Sequence, residues 1–269
     1  MRGWFRGINR TTLAKAVRDP RRALLRLVLR SRLVRRDVQT ERRQLLELLS
    51  SRYNVDGEAL RAEYRESAFR AWFLRRRADL DRFPGPYRHG TTGHFGLEAL
   101  YLLVRAARPR TIVETGVLYG ASSAHLLAAL ARNGDGMLHS VEIGRDASEP
   151  PHEFFVPEGL RVHWRLIIGD SRRELPALLQ QCSPVGMFYH DSLHTYDHMT
   201  WEFKTAAPCL GPGGLLASDD VLNPPSVAGI FRPGPFFAFC DDRHLPFATF
   251  QNLGVAWLER SAVARERAA

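Results

Sequence analysis

From residue 111 onward the chain alternates short apolar runs with stretches that suit helices, and a carboxylate stands at or just after the end of each of the first five runs. The spacing predicts strands over 111–114, 137–143, 161–168, 185–189 and 215–218, with helices over 122–132, 172–181 and 198–210 between them. Strands that alternate with helices must run parallel, joined by right-handed crossovers, because a two-residue turn cannot return a chain to a parallel neighbour. The last two runs, 247–251 and 254–258, lie about two residues apart and suit an antiparallel hairpin. A mostly parallel α/β sheet closed by a hairpin is the expected architecture.

The front of the chain reads differently. Residues 12–17, 20–36, 37–51 and 57–78 have helical spacing, and Phe83-Pro84-Gly85-Pro86 is a strong breaker. These features divide the chain into a helical extension, residues 1–84, and an α/β domain, residues 85–269. A further helix fits 96–107, ahead of Pro109. Charge follows the same division: residues 1–110 hold 26 Lys and Arg against 11 Asp and Glu, or +15, and residues 111–269 hold 12 against 18, or −6. The overall charge of +9 therefore says little about the α/β domain. Arg26, Arg30, Arg32, Arg35 and Arg36 are interleaved with leucines and suit a cap or homo-oligomer arm, or peripheral contact with an anionic membrane; nucleic acid is the weakest of these partners. Arg26 interrupts the apolar run 23–29, which is too short and too charged for a signal peptide or a spanning helix. Three scattered cysteines, Cys182, Cys209 and Cys240, form no CxxC pair and no disulfide framework. A cytoplasmic location is expected.

Four constellations carry chemistry. Gly116-Val117-Leu118-Tyr119-Gly120-Ala121-Ser122-Ser123 joins the first strand, ending at Glu114, to the first helix; its glycines permit a tight turn and close ligand approach, with Ser122 or Ser123 as the helix cap. Glu142 ends the second strand, 26 residues after Gly116, where a carboxylate can accept from a ribose diol. Gly169-Asp170-Ser171 follows the third strand; Asp170 can receive an adenine amino group or cap the next helix. Asp191, with His194 three residues on, follows the fourth strand, and Asp219-Asp220 follow the fifth. Neighbouring strand ends bring these three aspartates together, and close carboxylates are relieved by a hard cation such as Mg²⁺. The alternative is that they cap helices or bind a cofactor without metal. His190, Tyr196 and His198 read equally well as packing or helix-surface residues.

In this order the runs VETGVLYGASSAHLLAAL, HSVEIG, IIGDS, FYHDSLHTYDHMTWEF and LGPGGLLASDDV resemble the class I S-adenosylmethionine-dependent methyltransferases, over about residues 90–260. The DxxHxY element is similar to that of the branch related to catechol O-methyltransferase-like and macrolide-sugar O-methyltransferases. The resemblance implies a Rossmann-like methyltransferase fold with a seven-stranded sheet. It implies S-adenosylmethionine as cofactor, bound by Glu114, Gly116, Gly120, Ser122, Glu142, Asp170, Ser171 and Asp191. It also implies metal positions at Asp191, Asp219 and Asp220, with His194 and Asp191 as catalytic residues. The chain departs from the family in its GxxxG spacing and in Asp220, where Asn is common.

The expected reaction is O-methylation of a small molecule, sugar or glycolipid: His194 removes the hydroxyl proton while the aspartates hold a cation that grips the acceptor. An NAD-dependent oxidoreductase is the competing enzyme class, opposed by the missing GxGxxG. A binding protein that keeps the fold without catalysis is the third. The acceptor is not written in the sequence. Pro224-Pro225 and residues 231–239 suit either a substrate-side lid or core packing.

Overall fold

The computed structural model of the chain describes residues 37–80, 92–145, 149–222 and 234–258. The expected helices over 12–17 and 20–36, the breaker at 83–86 and Pro224-Pro225 lie outside these residues.

Three helices form the described part of the N-terminal extension: α1 (Val38–Tyr53), α2 (Gly57–Glu66) and α3 (Ala68–Asp79). The single helix expected over 57–78 is broken at Ser67, whose backbone is extended (φ −64°, ψ 141°). Its hydroxyl accepts from the Arg70 N–H at 3.1 Å, and its own N–H donates to the Tyr64 carbonyl. Local side-chain capping thus ends one helix and starts the next without Gly or Pro.

Then follow α4 (His94–Ala107), β1 (Thr111–Thr115), α5 (Ala121–Asn133), β2 (Met137–Glu142), β3 (Trp164–Ile168), α6 (Ser171–Cys182), β4 (Val185–His190), α7 (Tyr196–Ala206), β5 (Leu210–Ser218), α8 (Pro235–Asp242), β6 (Phe247–Phe250) and β7 (Leu253–Trp257). Residues expected to open the third strand form a 3₁₀ turn instead, Glu158–His163. Helix α7 starts earlier than expected because Thr195 caps it, its hydroxyl accepting from the His198 N–H. It also stops earlier, at Ala206, and residues 211–214, between the expected helix and the expected strand, lie inside β5.

The seven strands run in the order β3-β2-β1-β4-β5-β7-β6. The first five are parallel, and β7 is antiparallel to both β5 and β6. Strand side chains alternate between faces, and the core divides accordingly. Ile112, Met187, Tyr189, Leu215 and Val255 join α1–α5 on one face. Val113, Phe188, Leu216 and Ala256 join α6, α7 and α8 on the other, where Phe236 and Phe239 serve core packing. Helix α4 packs against α1 and α2 as well as α5, which explains why its leucines face no water.

The extension is held by polar contacts as well as apolar ones. Glu63 takes hydrogen bonds from Arg105, Arg132 and Tyr101, and Glu98 from Arg42 and Arg61. Gln251 donates to Glu41, and the Trp257 indole donates to the Tyr53 hydroxyl at 2.9 Å. Phe73 is buried against His125 and Phe155, and Trp72 is half-buried against the same core. No helix among the described residues is long and apolar enough to cross a membrane.

A carboxylate-lined rim at the ends of the parallel strands

Strand register brings the sequence-predicted site residues together. Thr115 of β1 pairs with Val141 of β2 and His190 of β4; Glu142 pairs with Ile168, and His190 with Ser218. The next residues continue the ladder: Gly116 N–H donates to Val141, Gly169 to Glu142, Asp191 to Thr115 and Asp219 to His190, all at 2.8–2.9 Å. Glu142, Gly116, Asp191 and Asp219 therefore share one carboxyl-end rim, with Asp170 at its far end.

The turn after β1 is built around two glycines. Gly116 has φ +82°, and a Cβ there would lie 2.1 Å from the Asp191 carbonyl oxygen. Gly120, at φ +80°, lies under the His152 carbonyl, 2.5 Å from where a Cβ would be. Gly120 is also the N-cap of α5 and offers no side chain. Ser122 and Ser123 are not the caps: both hydroxyls donate to Glu114, at 2.7 and 2.6 Å, as does Ser140 at 2.7 Å. A buried carboxylate demands donors, and that demand outweighs local capping. Burial pushes Glu114 up to about 6 against the pull of these three hydroxyls. Glu114 and Ser122 are thus enclosed beneath the rim rather than lining it.

Glu142 holds the same turn from outside. Its Oε2 accepts from the consecutive N–H groups of Val117 and Leu118, at 2.6 and 2.8 Å, and its Oε1 from Ile143 N–H. Leu118 sits at φ +51°, a left-handed conformation that is costly for leucine and is held at its carbonyl by His152 Nδ1. Beside Glu142, Ile143 and Ile168 expose 75% and 56% of their surface, an apolar pair next to a carboxylate at the rim. Sequence reading passed over both, although an isoleucine directly after a strand-end acid was the available signal. Asp170 is exposed and caps α6 through Arg172 N–H, and Ser171 lies 3.2 Å from His198 Nε2.

At the other end of the rim, the Thr92 hydroxyl lies 3.2 Å from Asp191 Oδ2, 3.5 Å from Asp219 Oδ2 and 3.4 Å from the Tyr189 hydroxyl. Thr92 precedes α4, 99 positions from Asp191, and nothing in the sequence pointed to it. His194 Nε2 stands 3.6 Å from both Asp191 Oδ1 and Asp220 Oδ2. Asp220 has φ +55°, and its Oδ1 accepts from the Asn252 amide. Burial and the Asp219 charge push Asp191 well above the usual carboxylate range. Burial and Asp220 push Asp219 up to about 7. Burial holds His194 below its ordinary value against the pull of Asp220, which favours a neutral imidazole.

Behind the rim lies a polar knot that the sequence did not reveal. Glu202 of α7 is fully buried and accepts from Thr115, His190, His198 and Ser192. Burial would raise its carboxyl, but the hydrogen bonds from His190 and His198 hold it well below the usual range. His190 and His198 are thus members of a buried network rather than plain packing or surface residues.

The three aspartates meet at one end of the rim, with His194 set among them. No group of three or more His, Cys, Asp or Glu side chains among the described residues is arranged to hold a metal ion.

Residues 113–221 match the family model of a methyltransferase domain. No curated protein is a significant match in sequence. Among solved structures, the O-methyltransferase TomG from Streptomyces achromogenes, in complex with SAM, is 20% identical; the match covers 72% of this chain and 91% of that one, with a TM-score of 0.54. An SAH-bound methyltransferase from Podospora anserina is 15% identical over 70% and 88% of the two chains, with a TM-score of 0.55. An O-methyltransferase from Bacillus cereus, in complex with SAH, is 16% identical over 75% and 97%, with a TM-score of 0.51.

Proposed function

We propose that this chain, whose residues 113–221 match the model of a methyltransferase domain, binds S-adenosylmethionine at the rim and directs its methyl group to the hydroxyl of a small molecule. The observation that carries this reading is the juxtaposition at the rim of Glu142 with the exposed Ile143 and Ile168. A carboxylate suits a ribose diol, and two apolar side chains suit the faces of a purine. Bound S-adenosylmethionine would supply an already activated methyl group on a cationic sulfur.

The work left to the protein is alignment and proton removal. Glu142 and the Gly116–Gly120 turn orient the nucleoside, with Asp170 beside the base. His194 takes the acceptor's hydroxyl proton on Nε2, the atom facing Asp191 and Asp220. The Asp220 side chain stabilises the imidazolium so formed. Leu193, 58% exposed beside His194, offers the acceptor an apolar contact. A sugar, glycolipid or other hydroxyl-bearing small molecule fits this chemistry.

A second reading keeps a divalent ion on Asp191 and Asp219, without Asp220, whose Oδ1 accepts from the Asn252 amide. It is supported by one observation: neither carboxylate is paired with Lys or Arg among the described residues. A rise in melting temperature with Mg²⁺ or Mn²⁺ that EDTA reverses would favour it, and indifference to both would remove it.

Calorimetry of the full chain with S-adenosylhomocysteine tests the main reading. Saturable binding is expected, without matching affinity for NAD. Absence of heat with the nucleoside thioether would overturn it.

A further inference from the structure

We propose that Glu202 is a positioning residue that acts on His194 through His190. The inference rests on His194 being the proton acceptor of the transfer. A carboxylate offers about four acceptor sites, and Glu202 fills them inside the protein. Thr115 Oγ1 and His190 Nδ1 lie 2.6 and 2.7 Å from its Oε2; His198 Nε2 and Ser192 Oγ lie 2.8 and 3.0 Å from its Oε1. With no exposed surface and no remaining capacity, Glu202 cannot meet a ligand, so its effect must pass through its partners.

His190 is the partner that reaches the rim. Donation from Nδ1 to Glu202 fixes both ring plane and tautomer, leaving Nε2 bare when the imidazole is neutral. That Nε2 is buried and has no hydrogen-bond partner among the described residues. The His190 ring is packed edge-to-face against Phe203 at 5.5 Å and against His194 at 5.4 Å. His194 lies on a loop, and its Nδ1 is likewise buried without a partner. Among the described residues its ring meets the His190 ring and, through Nε2 at 3.6 Å, the two aspartates. Releasing His190 from Glu202 frees the wall on which His194 rests.

Long-range ¹H–¹⁵N spectra of the imidazole rings in the ¹⁵N-labelled full chain test this without any acceptor. Glu202→Gln should displace the His194 cross-peaks while S-adenosylhomocysteine affinity is retained. Thr115→Val removes a different hydrogen bond from the same carboxylate and should leave the His194 signals in place. Unmoved His194 signals in Glu202→Gln would overturn the proposal. So would equal displacement in both variants, which would make the knot a structural support only. If Glu202→Gln does not fold, Glu202→Asp, which shortens the carboxylate's reach to His190 while keeping its charge, is read in the same way. If the wild type binds no S-adenosylhomocysteine, the methyltransferase reading fails, while the His194 spectra still decide the link to Glu202.

Discussion

The hydroxyl of Tyr64 lies 3.0 Å from Nε2 of His125, and Nδ1 of the same ring lies 2.8 Å from the Ala121 carbonyl. One neutral imidazole thus bridges the helical extension and the first turn of α5, immediately after the glycine turn. Tyr64→Phe should lower stability by about 1–2 kcal/mol, because it strands a buried ring nitrogen. Urea unfolding followed by fluorescence would show this as a reduced midpoint at unchanged slope; an unchanged midpoint would mean the bridge contributes nothing.

Burial pushes His125 down to about 3, so the folded chain resists a proton that the unfolded chain accepts near 6.5. Its contribution to stability is full above pH 6.5 and is lost as pH falls toward 3, at up to about 1.4 kcal/mol per pH unit. Glu114 and Asp219, pushed up to about 6 and about 7, act in the opposite sense over part of this range. The measurement is therefore a difference: unfolding free energies at pH 7 and pH 5 for the wild type and His125→Gln. The wild type should lose more than the variant on acidification, and equal losses would contradict the assignment.

Gly116→Ala should be among the most damaging single substitutions. A left-handed φ costs a Cβ-bearing residue about 1–2 kcal/mol, and here the Cβ would also collide with the Asp191 carbonyl. Both stability and S-adenosylhomocysteine affinity should fall, as read by thermal melting and calorimetry; retention of both would show that the turn relaxes freely.

Glu142→Gln separates two roles of one carboxylate. As a ribose acceptor, Glu142 should contribute about 1.5–3 kcal/mol to cofactor binding, a loss of tenfold or more in affinity. If it serves only the Val117 and Leu118 amides, melting temperature should drop while calorimetric affinity holds.

His194→Ala should slow methyl transfer about 10²–10⁴-fold with cofactor affinity retained. Radiolabelled S-adenosylmethionine with a panel of hydroxyl acceptors would report it, and unchanged turnover would discard His194 as the base.

The strands and the rim carboxylates were legible because both are local signals. Apolar runs bounded by turn residues mark β1 to β5, and Glu142, Asp170, Asp191 and Asp219 stand at or within two residues of the ends of those strands. What escaped is held together by tertiary distance. Thr115 meets Glu202 across 87 positions and Ser140 meets Glu114 across 26, and no periodicity links either pair. Ser122 and Ser123 looked like caps by local rule, and a buried glutamate claimed their hydroxyls. The break at Ser67 carried neither Gly nor Pro, so the helical pattern of 57–78 read straight through it.

The bonds from Tyr53 to Trp257 and from Glu41 to Gln251 span 204 and 210 positions. During synthesis α1 is made early, yet its last partners emerge only with the closing hairpin. Until then the side of α1 that meets β6 lacks its cover. A chain stopped short of residue 247 would keep α1 on α4 but leave the side of α1 that meets β6 uncovered, so its solubility in a ribosome-release series should improve as the hairpin is completed.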